Sequence, residues 1–353
     1  MNQQPLLLNG PTPAPASTLG RERLAGLVKH LIDNPITDVV LDGKDIGFSV
    51  QHAVLCLHKE HKQGESVHAH AVGQICDRVH IPRRYVQNLL AEGAEWSDDL
   101  LMENLELLFR NRGKDKAYLI RSVNSQVRGF LSNAYGRLDT TSLIETFSAA
   151  CSKASAEPYD AFMTDLHICV QGALPNLFAV KDRSIKVGVS LKHSDFGAGA
   201  LAVNLFIGDG GYSLISRRGI RRIHKGRRLV TGSAVRTAYI VEEDTNKAAE
   251  RIPPLVQDHL NKESLAATMA ELDLSMSITI DPDKVSDILQ SLHLTDIEMT
   301  HGVDAFRNRS ELPDSYTRYR LACTIAWLAD TETNMARKLE LMETAGDLIL
   351  PEK

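Results

Sequence analysis

From Phe162 to Ser216 the sequence breaks into short apolar runs separated by turn residues. Phe162 to Val170, Leu177 to Val180, Ile185 to Leu191, Ala200 to Ile207 and Tyr212 to Ser216 are rich in strand-forming residues, with Gly and Asp-Gly breaks between them. This block predicts a sheet, and a sheet with an apolar face needs helices to cover it. The flanks supply helical patterns. Leu24, Leu27, Val28 and Leu31 share one face of a helix over Arg21 to Ile32. Ser66 to Val79, Arg83 to Leu90, Trp96 to Phe109, Gln126 to Ala134 and Thr141 to Cys151 read as further helices, with Ala117 to Val123 as a strand. Val39 to Leu41 and Ile46 to Val50 read as a hairpin closed by Asp42–Asp45. After Pro253-Pro254, helices are predicted over Leu255 to Leu272, over Pro282 to Leu292 with Asp281 as N-cap, and over about Asp314 to Thr344.

The expected fold class is therefore α+β. A helical N-terminal part precedes a central mixed or antiparallel β-sheet with packed helices, and a helical C-terminal part follows. The expected divisions are a flexible lead over 1–20, a mostly helical region over 21–110, an α+β core over 111–240 and a helical region over 250–353. With 353 residues the chain exceeds one small module. No apolar run reaches the roughly 18–20 residues of a membrane span, so no membrane partner is expected. Leu6 to Leu8 follow no basic segment, and the five cysteines are odd in number and widely spaced. Secretion and a disulfide framework are thus not expected, and reduced, buried thiols in the cytoplasm of a bacterial host are.

A net charge of −5 argues at first against a polyanionic partner, but the charge is segregated. Residues 1–104 carry −4, residues 105–230 carry +9 and residues 231–353 carry −10. The basic centre holds two clusters. One comprises Arg110, Arg112, Lys114, Lys116 and Arg121, continuing to Arg128 and Arg137. The other, Arg217, Arg218, Arg221, Arg222, Lys225, Arg227 and Arg228, places seven cations in twelve residues with no acid among them. Such charges repel one another unless an anion neutralises them, and a phosphate backbone does so with release of counterions. Guanidinium suits it by binding phosphate bidentately. The competing reading is a charged turn, solvated or paired with the acidic C-terminal block.

Other constellations carry less. His58 and His61 are spaced like a ligand pair, without a third ligand, and no metal site or cofactor is expected. Gly208-Asp209-Gly210-Gly211 lacks the Lys-Ser/Thr of a phosphate loop and reads as a hairpin turn. His193-Ser194-Asp195 holds the residue types of a hydrolytic triad, but triads assemble in space rather than from neighbours. Asp160, Asp165, Asp182 and Asp195 lie in the basic block, which leaves open a metal-dependent nuclease.

Three segments resemble a known family. His70–Cys76 with His80-Ile81-Pro82-Arg83-Arg84-Tyr85, Val127–Asp139 and Ser194–Leu201 are similar in order and spacing to a phage- and plasmid-borne family of unknown function, over roughly residues 65–230. Where that family continues with Cys-x-Asn-Gly, this chain has Gly208-Asp209-Gly210-Gly211. Mobile elements handle single-stranded DNA, so the resemblance implies that setting. A more distant similarity, in element order and charge, is to single-strand annealing recombinases of the Red-beta type, which assemble into rings.

The expected function is accordingly single-stranded DNA binding or annealing in recombination or replication, without catalysis, by a homo-oligomer. Arg217, Arg218, Arg221, Arg222, Lys225, Arg227 and Arg228 would hold phosphates, supported by Arg128, Arg137, Arg110, Arg112 and Lys114. The acidic C-terminal region would recruit a protein partner or compete with DNA for the basic core. The alternatives are an interaction protein that blocks host defence and a metal-dependent nuclease.

Overall fold

A computed structural model of the chain describes residues 7–8, 15–59, 64–217, 221–222 and 238–350. The chain begins with a short strand β1 (Leu7–Leu8) and helix α1 (Pro15–Asp33), which starts inside the stretch expected to be an extended lead. Then come β2 (Thr37–Asp42), a turn at Gly43–Asp45, β3 (Ile46–Gln51), β4 (Val54–Lys59) and β5 (Glu65–Val67). Helices α2 (Ala69–Val79), α3 (Arg83–Glu92) and α4 (Glu95–Leu108) lead through a π-turn at Phe109–Gly113 to β6 (Ala117–Val123) and β7 (Gln126–Ser132).

These strands form a six-stranded sheet in the order β2-β6-β7-β5-β4-β3. The division expected near residue 110 thus falls inside one sheet. The hairpin predicted for β2 and β3 does not form: β2 pairs with β6 and β3 with β4, at opposite edges. Yet only Gly43–Asp45 separates them, a link that reaches at most about 14 Å. Six flat strands would hold their edges about 24 Å apart. The sheet must therefore curl, and it wraps Leu41, Leu57, Ile120, Val127 and Phe130 around Ile75 and Val79 of α2 and Leu101 and Leu105 of α4.

Gln126–Ser132 is a strand and not the predicted helix, for a local reason. Asn124 and Ser125 both take positive φ, 49° and 60°, and turn the chain back on β6 in a two-residue hairpin. Arg121 then faces Gly129 while Ser122 faces Val127, so Arg128 is one extra residue in a bulge. The bulge shifts the alternation, and Val127 and Phe130, three apart, both enter the core. That spacing mimics a helix face. Likewise Glu65–Val67 is a strand, so the helix expected from Ser66 begins at Ala69.

The second half contains α5 (Thr140–Lys153), β8 (Glu157–Met163), β9 (Ile168–Val180), β10 (Arg183–His193), β11 (Leu201–Asp209), β12 (Tyr212–Ser216) and β13 (Arg221–Arg222). After these come α6 (Ala238–Ala249), α7 (Ile252–Leu260), α8 (Lys262–Ser275), α9 (Val285–Gln290), α10 (Asp296–Asn308), α11 (Arg318–Thr331) and α12 (Met335–Ile349). The strands form a seven-stranded antiparallel sheet along β1-β9-β10-β11-β12, with β8 on β9 and β13 on β11. The fold is α+β, with two sheets and helices at both ends. The β11–β12 connection is the tight turn expected at Gly210-Gly211.

Two apolar clusters cover this sheet. Leu27 of α1, Leu143 and Phe147 of α5 and Val256 of α7 pack on Val170, Val189, Leu191 and Val203. Helices α8 to α12 pack on Ile185, Val187, Leu205, Ile207 and Leu214. The predicted C-terminal helix is two. Asn334 accepts hydrogen bonds from Ala336 N at 3.0 Å and Arg337 N at 3.2 Å and so restarts the chain as α12. Asn261 caps α8 in the same way and splits the helix expected over Leu255 to Leu272. Asp281 holds a turn before α9 and is not its N-cap.

Helix α12 docks on β12 at Gly346. A Cβ built there would lie 2.2 Å from Ile215 O and 2.5 Å from Ser216 N, so only glycine allows the approach. Replacement of Gly346 by alanine is expected to destabilise the chain by about 1–3 kcal/mol, the usual effect of overpacking, as measured by urea unfolding.

Candidate functional site

The two sheets meet at a buried ion cluster. Arg121 of β6 is 5% exposed. Its Nε donates to Asp38 Oδ1 of β2 at 2.8 Å, and its Nη1 donates to Asp195 O at 2.6 Å and Asp195 Oδ1 at 3.2 Å. Asp195 lies just past β10 of the other sheet. Thr140 Oγ1, at the start of α5, donates to Asp195 Oδ2 at 2.5 Å, and His193 Nε2 lies 3.4 Å from Oδ1. Arg137 Nη1 donates to Asp38 Oδ2 at 3.0 Å. Burial alone would raise the Asp195 carboxyl, but His193, Arg121 and Thr140 hold it well below the usual range. Burial opposes the charge on Arg121 too, and Asp195 and Asp38 override it.

Asp195 opens the loop Ser194–Ala200, which is clamped from the curled sheet. Ser194 Oγ accepts from Phe196 N at 3.3 Å and Ala198 N at 3.2 Å, so it serves as a turn cap and not as a nucleophile. Gln74 of α2 donates to Phe196 O at 2.9 Å and accepts from Phe130 N at 2.7 Å. His70 Nε2 lies 3.1 Å from the same Phe196 O, and Tyr135 OH donates to Ser194 O at 3.2 Å. Gly197 has φ +73°, and a Cβ there would meet Leu131 Cδ2 at 2.6 Å. Groups from α2, from the turn after β7 and from the loop itself thus hold its backbone in place.

Beside the loop lies a cavity of about 170 Å³ lined by His167, Lys192, Asn204, Arg217 and Glu343, with Ala198 to Ala200 on its wall. Lys192 Nζ donates to Glu343 Oε1 at 2.8 Å, and Arg217 N donates to Asp347 Oδ1 at 2.9 Å. Arg217 Nε also donates to Asp347 Oδ2, at 2.5 Å. Both acids stand one turn apart on α12. Burial, then the charge of Lys192, pushes His167 down to about 4, so its ring is neutral near pH 7. The backbone of Arg221 and Arg222 lies along the same edge of β11, where Arg221 pairs with Ala202 and Arg222 with Leu201.

The predicted contacts are distributed unevenly. Arg217 sits on the cavity and pairs with the acidic C-terminal block, as one reading expected. The backbone of Arg221 and Arg222 is beside it, whereas Arg218, Lys225, Arg227 and Arg228 lie outside the described residues. Arg137 is 8% exposed and committed to Asp38, so it holds the sheet junction and is not open to a polyanion. Arg128 Nη1 donates to Asp165 O at 3.1 Å. Arg110 on the π-turn and Lys114 just after it are exposed, and Arg112 donates to Val79 O at 2.8 Å. That turn precedes β6, and Arg121 lies roughly 13 Å further along the strand.

The carboxylates considered for a nuclease do not converge. Asp182 and Asp195 flank opposite ends of the eleven-residue β10, and Asp160 pairs with Arg23 at 2.8 Å. Among the described residues no group of three or more His, Cys, Asp or Glu is placed to hold a metal ion. His58 lies 2.7 Å from Ser49 Oγ, and His61 is outside the described residues. All five cysteines are buried and unpaired, and burial raises Cys169 and Cys151 to about 12. No described helix is long and apolar enough to cross a membrane. No protein-family model, curated protein or solved structure matches the chain.

Sequence reasoning missed Arg121 as the organiser and Asn204, Lys192 and His167 as cavity residues. Arg121 read as one cation of the first basic cluster, and Asn204 lay unremarked within the strand run Ala200 to Ile207.

Replacing Arg121 by methionine leaves Asp38 and Asp195 buried without their partner, and is expected to cost about 3–5 kcal/mol in urea unfolding. His167 gives a pH signature. Unfolded, it binds a proton near 6.5; folded, only near 4. Between those values the unfolded state holds more protons, so stability falls as pH drops from about 6.5 to 4. The His167→Gln variant is expected to flatten that part of a melting-temperature profile.

Proposed function

We propose that the chain binds nucleic acid, with preference for a single DNA strand, at the cavity mouth and the neighbouring strand Arg221–Arg222, as a phage- or plasmid-borne protein of recombination or replication. The observation that carries this reading is the pairing of β13 with β11. It lays the backbone of Arg221 and Arg222, two of the seven cations, against Leu201 and Ala202. An anionic backbone running along that edge would neutralise charges that otherwise repel. The resemblance to mobile-element proteins supports a single strand as the partner.

The acidic C-terminal block enters through named pairs. Glu343 holds Lys192 and Asp347 holds Arg217, so α12 occupies the cations a phosphate would take. Its other face belongs to the core: Leu339, Met342, Ala345 and Ile349 pack with the sheet. Deleting the C-terminal region to relieve competition would therefore expose the core of the seven-stranded sheet, and point substitutions are the proper probe.

Fluorescence anisotropy with single- and double-stranded oligonucleotides tests the reading. Neutralising about five phosphates on a single strand gives a log–log salt slope near −3.5, or roughly a hundredfold loss between 50 and 200 mM salt. Alanine at Lys192 or Arg217 is expected to weaken binding and flatten the slope. The Glu343→Gln, Asp347→Asn double variant is expected to bind several-fold more tightly at fixed salt. No binding to any oligonucleotide at low salt overturns the proposal.

A further inference from the structure

Helix α4 carries an apolar ridge that the core does not use. Leu101 and Leu105 enter the core of the curled sheet, and Leu108 packs against it. Trp96, Leu100 and Leu107 stay outside, 59%, 38% and 52% exposed. Nine large apolar side chains are exposed among the described residues, and this one helix holds three of them. At roughly 100° per residue the three fall within about 40° of one another, so they form one ridge about 16 Å long. A single exposed leucine needs no explanation, but an aligned ridge led by a tryptophan is the kind of surface that binding partners cover.

The charge beside the ridge narrows the occupant. Asp99, Glu103 and Glu106 form an exposed row next to it, and none of the three has an ion pair among the described residues. The helix carries five acids and no base, and the first cation after the row is Arg110 on the π-turn. A second copy would bring a second set of acids and no base to the seam, and like charges across an interface oppose it. The same row repels a nucleic-acid strand. Three side chains also offer far less than the roughly 800 Å² per partner of a stable interface between domains. What fits is a single helix with an apolar row and a Lys/Arg row, laid along α4.

We infer that the Trp96–Leu107 face of α4 docks a basic amphipathic helix of a partner protein. Its apolar row covers Trp96, Leu100 and Leu107, and its lysines or arginines meet Asp99, Glu103 and Glu106. Burial of the tryptophan and leucines supplies the affinity, and the acids set the register and reject acidic partners. Helix α4 covers the six-stranded sheet, whereas Lys192 and Arg217 belong to the other sheet, so the inference stands apart from the nucleic-acid reading.

The test uses the full chain with Trp327→Phe, which leaves Trp96 as its one tryptophan and keeps an aromatic ring beneath Arg309. The probes are two synthetic helices of about four turns, one of leucine and lysine and one with glutamate for every lysine. The lysine peptide is expected to shift Trp96 emission to shorter wavelength, saturably and more weakly as salt rises, and the glutamate peptide to leave it unchanged. Leu107→Ala is expected to weaken binding about fivefold. Asp99→Asn, Glu103→Gln and Glu106→Gln together are expected to weaken it about tenfold. All four positions are exposed, so these variants keep the fold. If Trp327→Phe does not fold, calorimetric titration of the wild-type chain and the same α4 variants reads the same affinities. No binding of the lysine peptide, equal binding of the glutamate peptide, or unchanged affinity in either α4 variant overturns the inference. A shift of Trp96 that grows with protein concentration alone assigns the ridge to a second copy and overturns it as well.

Discussion

The arrangement depends on a single buried guanidinium. Arg121 belongs to the curled sheet, yet it binds Asp38 of its own sheet and both the backbone and side chain of Asp195 from the other. A charge so placed has lost its water, and it survives only because two carboxylates and a carbonyl replace that water in fixed positions. The geometry is therefore demanding: a small shift of either sheet would leave a charge unmet. The loop Ser194–Ala200 is fixed by that demand at one end and by Gln74, His70 and Tyr135 along its length. Since Ala198 to Ala200 form a wall of the cavity, the ion cluster sets the cavity's shape without touching its contents.

Much of the second sheet was legible in the sequence because its signals are local. The runs over Ile185–Leu191, Ala200–Ile207 and Tyr212–Ser216 map onto β10, β11 and β12, and the turn at Gly210-Gly211 lies where its residues place it, whereas Phe162–Val170 spans the end of β8, a turn and the start of β9, and Leu177–Val180 is the end of that same strand. The failures share a cause, which is that pairing is not local. Val39–Leu41 and Ile46–Val50 look like a hairpin, but their partners come from β6 and β4, and curling brings the edges together. The bulge at Arg128 hid a strand behind helical spacing. The cations show the same limit. Composition could count Arg121, Arg128 and Arg137 but could not know that Asp38, Asp165 and Asp195 lie beside them.

The convergence of three distant parts of the chain on the loop Ser194–Ala200 has a simple physical content. His70 and Gln74 lie on α2, Val127 to Asp139 on β7 and the turn after it, and Ser194 to Leu201 after β10. None is near the others in sequence, and each contributes polar groups to one loop backbone. His70, Gln74, Tyr135 and Ser194 are thus accounted for by holding that loop. The residues that face the cavity and remain unsatisfied, Asn204 foremost, lie outside those segments.

Helix α12 ties stability to binding. Its apolar side completes the core of the seven-stranded sheet, while Glu343 and Asp347 hold the two cations at the cavity rim. For the proposed phosphate contact this makes recognition an exchange. A phosphate that takes Arg217 releases Asp347 to water, so one ion pair replaces another and the direct electrostatic gain is small. The net drive then comes from counterions freed from the strand, which is entropic and falls with salt. Isolated cations would bind more tightly but would repel one another whenever the strand is absent. Pairing them with α12 relieves that repulsion, and Gly346 keeps the helix close against β12.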